Sequence, residues 1–363
     1  MATAIPNMEL ANLVTQKLKE VTEERGRVTI LVAGRTGVGK STLINEVFQG
    51  QFAKTGQGRP VTKDTREITK EGVPLSIIDT RGMEMADFNT TLRELETRIK
   101  ERNNLSDPKL HIHVAWVCIM EDSRRVEQAE SDLVKVLAKH FPVAVVITKS
   151  RSDDGFKAEV QRLLPDAKNV VRVRALPEHF DDGHSLEPMG LVELVQLTNE
   201  LVPEGQRNAL AAAQKVDIGS KVARAHVALG TAATLAAGVG VAPIPFSDAA
   251  LLVPIQIGAL AKITSVFGLP LSTGFLTTLV SGAAGCTGAT FVGRALVANA
   301  LKLIPGAGSI AGGAISAVTA AMLTMALGKA YIAVLARLCK EKPVGEITET
   351  EIAEAFKRQL KAV

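Results

Sequence analysis

The spacing of apolar positions changes along the chain, and each change marks a different kind of element. Leu10, Leu13, Val14, Leu18 and Val21 recur at helical spacing, which predicts an amphipathic helix over about residues 8 to 24. Short apolar runs then alternate with longer amphipathic stretches. "RVTILVA", "LSIIDT", "HIHVAWVCI", "VAVVIT" and "NVVRVRAL" read as strands, and "GKSTLINEVFQ", "ADFNTTLRELETRIKE", "EQAESDLVKVLAKH" and "MGLVELVQLTNELV" as helices. Such alternation predicts an α/β domain: a mostly parallel sheet with helices on both faces, because parallel strands need crossovers whose apolar stripes bury on the sheet. Pro203, Glu204 and Gly205 read as the junction that ends it. The remaining residues have long apolar Gly/Ala-rich stretches and predict an all-α hydrophobic domain. The expected division is 1–26 for the amphipathic helix, 27–203 for the α/β domain and 204–363 for the helical domain.

Charge sharpens that division. From Val227 to Ala336 the only charged residues are Asp248, Lys262, Arg294, Lys302 and Lys329. The first part is built for water and this part to avoid it. A formal net charge of +4, with no cluster of five or more Lys/Arg, argues against a nucleic-acid partner. Cys118, Cys286 and Cys339 fall at unrelated spacings, which fits a reducing compartment and no metal site. Cys118, inside "HVAWVCI", is expected to be a small buried apolar residue. No secretory signal is evident in "MATAIPNMEL".

The stretch "GRTGVGKST" lies between a predicted strand and a predicted helix and matches G-x-x-x-x-G-K-[ST] as Gly34, Gly39, Lys40 and Ser41. Gly34, Arg35, Thr36, Gly37, Val38 and Gly39 form a loop whose backbone N–H groups can turn inward around phosphate oxygens. Lys40, Ser41 and Thr42 open the helix whose positive end faces the same anions. Lys40 supplies a cation to the terminal phosphates, and the Ser41 hydroxyl a magnesium ligand. "LSIIDTRG" then ends a strand with Asp79 and Gly82, spaced D-x-x-G. A carboxylate there holds magnesium through water, and the Gly82 N–H senses a γ-phosphate.

"GRTGVGKSTLIN", "RPVTKDTREI", "DTRG" and "VVITKS" together resemble the Era-like branch of the translation-factor-related GTPases, over about residues 27 to 202. The resemblance implies binding of GTP and GDP with Mg2+ and hydrolysis of GTP. It also implies a first switch at Gly56 to Thr65, in which either Thr62 or Thr65 binds magnesium. Three positions depart from the family pattern. The guanine-reading motif [N/T]-K-x-D becomes Thr148, Lys149, Ser150 and Arg151, leaving Asp153 or Asp154 to reach the base from a shifted loop. Met83 stands where a water-orienting Gln is common, so slow hydrolysis is expected, with Arg59 or Arg81 as a source of positive charge in cis or across a dimer of GTPase domains. Gly37 replaces the Asn of potassium-activated relatives, so no potassium dependence is expected. "RAL" loosely matches the family's base-contacting loop and suggests a backbone contact from Ala175.

The second half, with "PIPFSDAALLVPIQ", "VFGLPLS" and "LIPGAGS", resembles the YcjF-type domain that follows some Era-like GTPases. Ile263 to Gly293 and Leu303 to Gly328 carry no charge and exceed the ~20 residues that span a hydrocarbon core. Membrane insertion or association is therefore expected, with the GTPase domain in the cytosol; a soluble cytoplasmic helical bundle is the alternative. Asp248 is expected at a helix start, and Thr348 with Glu351 as a capping box before the apolar face Ile352, Phe356 and Leu360. Two functions follow: a GTP-driven switch at a membrane with possible self-association, or a soluble GTPase assembly factor whose apolar half meets a protein or ribosomal partner.

Overall fold

The computed structural model describes residues 7–50, 52, 66–80, 88–239, 248–270, 272–283 and 317–361. It divides into two compact units, Gly26–Asp217 and a second made of Met1–Arg25 with Ile218–Val363.

The first unit is a six-stranded sheet in the order β2-β3-β1-β4-β5-β6. The strands are β1 (Val28–Gly34), β2 (Arg66–Lys70), β3 (Val73–Asp79), β4 (Val114–Met120), β5 (Val143–Thr148) and β6 (Asn169–Arg172). All pair in parallel except β2, which runs antiparallel to β3 at the edge. β2 has a single aliphatic residue among charged ones, which suits an exposed edge and hides it from pattern analysis. Side-chain alternation splits the core into two layers. Val28, Ile30, Val32, Ile77, Trp116, Cys118, Ala144 and Val146 face α2 (Lys40–Val47), α6 (Leu191–Leu201) and α7 (Glu204–Ala213). Leu31, Ala33, Val117, Ile119, Val145 and Ile147 face α3 (Phe88–Asn103), α4 (Gln128–Ala138) and α5 (Phe156–Leu163). Each fully buried aliphatic side chain contributes about 1.5–3 kcal/mol. Trp116 stacks on Phe48 with ring centroids 5.5 Å apart and donates from Nε1 to Thr198 Oγ1 at 3.0 Å. Its one polar atom is thereby satisfied.

The boundary falls later than the sequence suggested. Pro203 is not a linker residue but the cap that starts α7, a role its fixed φ suits. The Ala-rich face of α7 (Ala209, Leu210 and Ala213) buries in the sheet core, and Gln49 N donates to Ala213 O at 2.9 Å. Residues 204–217 therefore belong to the α/β unit. The amino-terminal helix α1 (Asn7–Arg25) does not stand alone either: it packs on α9 and α10 of the second unit.

That unit comprises α1, α8 (Ile218–Val239), α9 (Asp248–Phe267), α10 (Thr273–Ala283), α11 (Ala317–Glu341) and α12 (Glu349–Lys361). The expected span Ile263 to Gly293 is not one helix, because α9 ends at Phe267 and Gly268 to Pro270 separate it from α10. The end of the other expected span lies in α11, which continues past Lys329 to Glu341; the rest lies outside the described residues. Among the described residues, no helix is long and apolar enough to cross a membrane. Helix α9 is described from Asp248 onward, and residues 240–247, where the expected helix start would be read, lie outside the described residues. The capping box is formed: Thr348 N donates to Glu351 Oε2 at 2.9 Å and Glu351 N to Thr348 Oγ1 at 3.3 Å. Tyr331, fully buried, bonds Thr264 Oγ1 at 2.8 Å and meets Phe356 edge-on with centroids 5.0 Å apart.

Helices α8 and α11 approach closely at Gly328, where an added Cβ would lie 2.7 Å from Leu229 Cδ2. Leu229 is fully buried, so moving its side chain would displace the neighbours packed around it. Gly230, on α8, has nothing within 4 Å of an added Cβ. The two glycines should respond to alanine with opposite signs. Gly328→Ala is expected to destabilise the unit by about 1–3 kcal/mol through overpacking. Gly230→Ala should stabilise it by roughly 0.5–1 kcal/mol, as expected when Ala replaces Gly inside a helix. Chemical denaturation followed by circular dichroism gives both values, and shifts of one sign would contradict the packing described.

Candidate nucleotide site

The carboxyl ends of β1, β3, β4 and β5 converge on the loop 34–39. Register places Val32 beside Asp79 and Gly34 beside Cys118. Gly34 has φ 144°, and a Cβ there would sit 2.5 Å from the Cys118 carbonyl oxygen, so no other residue fits without moving β4. Gly39 turns the chain into α2 with φ 101° and ψ 15°, left-handed geometry that suits Gly. Between them Arg35, Thr36 and Gly37 are exposed and Val38 is buried. Arg35 pairs with Glu127 at the outer rim.

Lys40 is buried and folded back on the loop, its Nζ donating to Gly34 O at 2.8 Å and Arg35 O at 3.0 Å. Burial holds its ammonium below the ordinary lysine pKa, opposed by the charge of Asp79. Burial pushes Asp79 the other way, above the usual carboxylate value, with Lys40 opposing. Asp79 Oδ1 has no hydrogen-bond partner among the described residues. A buried carboxylate oxygen in that position wants donors. The waters of a magnesium ion would supply them, and Ser41, half-buried in the first turn of α2, would offer a hydroxyl ligand. The residues present fit Mg2+. Thr62, Thr65 and Gly82, the remaining expected metal and catalytic residues, lie outside the described residues, as do Arg59, Arg81 and Met83.

Thr148 ends β5 and ties the loop to the sheet, its hydroxyl reaching Val38 O at 2.6 Å and Ile119 O at 3.2 Å. Beyond it opens a pocket of about 460 Å3, lined by Gly39, Thr42, Leu43, Thr148, Lys149, Arg151, Val173, Arg174, Ala175, Leu176, Pro177 and Glu178. The structure thus brings Ala175, Thr148 and Lys149 together beside the phosphate loop, in a space suited to a base. Asp153 and Asp154 are not among the lining residues. Asp153 Oδ1 accepts from Lys157 N at 2.9 Å at the start of α5, and Asp154 pairs with Arg124 at 3.2 Å. Two lining side chains that the sequence did not propose as contacts are Arg151 and Glu178; nothing in the spacing of "RALPEH" marks the glutamate. Cys118 is a fully buried thiol whose pKa burial pushes up to about 12, as its apolar surroundings imply.

Asp79→Asn should separate stability from chemistry. Because burial raises the folded-state pKa, ionising Asp79 as pH rises costs native stability, and the amide avoids that cost. The variant should melt above the parent at pH 7, with the gap closing as pH falls below the carboxylate's ordinary value of 3.8. Its magnesium-dependent nucleotide affinity or turnover should fall about 10- to 100-fold. Thermal melts across pH, paired with calorimetry, test both halves.

Residues 29–149 match the family described as 50S ribosome-binding GTPase. Among curated proteins, the chain is 34% identical over 180 residues to translocase of chloroplast 101 of Physcomitrium patens, covering 46% of this chain and 19% of that protein. It is 28% identical over 193 residues to the tRNA modification GTPase MnmE of Paracidovorax citrulli, covering 52% of this chain and 39% of that one. The chain thus spans well under half the length of these relatives. Among solved structures, Era of Aquifex aeolicus aligns with a TM-score of 0.36 at 18% identity, over 49% of this chain and 58% of that one. With its loop, D-x-x-G strand end and sheet order, the unit Gly26–Asp217 is a P-loop GTPase domain.

Proposed function

We propose that the protein binds GTP with Mg2+, hydrolyses it to GDP and phosphate, and uses the nucleotide state to control its helical unit at a membrane surface. The observation that carries the nucleotide reading is the pair formed by Lys40, spent on loop carbonyls, and Asp79, with a buried oxygen unpartnered among the described residues. Burial lowers the pKa of Lys40 and raises that of Asp79, and a magnesium triphosphate offers each a partner of opposite charge. Lys40 exchanges Gly34 O and Arg35 O for phosphate oxygens. Backbone N–H groups of the loop and the first turn of α2 donate to the same anions. Magnesium, when bound, neutralises charge on the β- and γ-phosphate oxygens. Ser41 and Asp79 would hold it, together with Thr62 or Thr65 as the sequence resemblance implies.

The membrane part rests on the helical unit. Val227 and Leu235 of α8 are 72% and 59% exposed, and Met322 of α11 is 41% exposed, a set of apolar side chains in a region almost without charge. The likeness of this half to YcjF-type domains supports a module that works beside a GTPase, on the cytosolic side. Self-association through this unit, bringing two GTPase domains together, is part of the same reading.

Lys40→Ala and Ser41→Ala should each weaken Mg·GTP binding by about 10²-fold or more, since each removes a charge-assisted contact. Unchanged affinity in calorimetry would end the nucleotide reading. For the helical unit, full-length protein should float with liposomes of mixed anionic lipids more with GTP than with GDP, and Val227→Glu should cut the bound fraction. Protein that stays at the bottom of the gradient in both states would instead favour a soluble assembly factor.

A further inference from the structure

The base pocket lacks a carboxylate where the guanine-reading pattern would place one, and Arg151 stands there instead. Guanine presents two adjacent donors on its pairing edge, N1–H and the 2-amino group, so discrimination calls for an acceptor with two free lone pairs. Of the lining residues, only Glu178 is acidic. It lies on the two-residue strand β7 (Glu178–His179), paired with β8 (Ser185–Leu186), where Phe180 N donates to His184 O at 2.9 Å. That short hairpin sets the carboxylate at the pocket wall. Arg151 then grips it side-on, with Nε donating to Glu178 Oε2 at 2.8 Å and the terminal nitrogen to Oε1. A carboxylate has about four acceptor positions, and this fork uses one on each oxygen. The fork holds the converging lone pair of each oxygen, the same edge that guanine's two adjacent donors need, so a base takes that edge in exchange for Arg151.

Arg151 is itself held from several sides. Its backbone N donates to the buried carboxylate of Glu121, which also accepts from Ser152 N at 3.0 Å and Arg172 Nε at 2.7 Å. Its guanidinium lies 3.6 Å from Asp122 and 5.9 Å from the centre of the Phe180 ring. Arg174 fastens the same loop, donating to Ser150 O at 2.6 Å and Glu187 O at 2.7 Å. Asp153 and Asp154, the nearest acids in sequence, are engaged at α5 and at Arg124.

We propose that Glu178 is the residue that reads guanine, delivered from the hairpin after β6 in place of the carboxylate missing after Ser150, and that Arg151 holds its accepting edge until the base displaces it. The proposal rests on the GTPase reading above. Glu178 accepts from guanine N1–H and the 2-amino group in exchange for the Arg151 fork, and Asp122, 3.6 Å from the guanidinium, is the acid that keeps Arg151 paired. Adenine, with an acceptor at N1, meets a carboxylate lone pair and is rejected.

Full-length protein is titrated by calorimetry with Mg2+ and GDP, inosine diphosphate (which lacks the 2-amino group), xanthosine diphosphate (which carries oxygen there), ADP, and inorganic tripolyphosphate as a base-free probe of the phosphate loop. The parent should prefer GDP over inosine diphosphate and ADP. Glu178→Gln should lose about 10- to 100-fold in GDP affinity while gaining affinity for xanthosine diphosphate, because its amide donates to the 2-oxygen and its carbonyl accepts from N1–H. Arg151→Ala should raise GDP affinity and keep the preference for GDP over inosine diphosphate, because it frees the Glu178 edge for the base; an unchanged GDP affinity would overturn the exchange with Arg151. Tripolyphosphate binding should stay at the parent's level in both variants, showing that the loop is folded. A parent-like preference among the bases in Glu178→Gln, with tripolyphosphate and GDP still bound, overturns the base assignment alone. A parent that binds neither tripolyphosphate nor GDP overturns the GTPase reading and this inference with it.

Discussion

The carboxyl end of β1 lies so close to β4 that even a methyl group on Gly34 would sit 2.5 Å from the Cys118 carbonyl oxygen. This close approach fixes where the loop leaves the sheet, and the Thr148 hydroxyl fixes where it lands by holding Val38 O at 2.6 Å. A loop anchored at both ends aims its N–H groups in one direction without depending on a ligand. The parallel strands on either side then deliver Asp79 and the base pocket to the same rim, the general place for ligands in such sheets. Loop, metal position and base pocket are three results of one packing constraint.

Electrostatically the rim has two characters. At the phosphate end, burial shifts the pKa values of Lys40 and Asp79 in opposite directions, each charge partly offsetting the effect on the other. Asp79 Oδ1, without a partner among the described residues, leaves an acceptor there for an incoming donor. At the base end the charges are already spent. Glu121 is buried yet satisfied by Arg172 and two backbone N–H groups, and Arg151 is paired with Glu178. The first arrangement favours binding by supplying unmet contacts; the second favours selectivity, because only an edge with two adjacent donors replaces the Arg151 fork on Glu178.

The helical unit uses different physics. A glycine lets helices α8 and α11 meet closely at Gly328, and two of the unit's buried polar side chains, Lys221 and Tyr331, have local partners. Lys221 is fully buried, donates to Phe267 O at 2.8 Å, and has its pKa brought down to about 7 by burial. Tyr331 satisfies Thr264 in the same interior. Here close backbone approach substitutes for large apolar side chains.

The sequence by itself determined the α/β alternation, the phosphate loop and the strand-end Asp79, because each depends on residues adjacent in the chain: a glycine for a forced backbone angle, a lysine and serine at a helix start, an acid closing an apolar run. The Thr348–Glu351 cap was legible for the same reason. Only tertiary structure decided where the α/β unit ends, since Pro203 marks a helix start as readily as a linker, and the burial of α7 depends on the distant strands β1 and β3. It likewise interrupted the apolar stretch after Ile263 at Gly268, and gave α1 to the helical unit. The base pocket shows the limit most sharply. Asp153 is closer in sequence to the departure at Arg151, yet α5 claims it, while Glu178 arrives from beyond the next strand on a short hairpin. Local chemistry is written in neighbouring residues; which distant carboxylate meets Arg151 is a matter of how strands and loops come together in space.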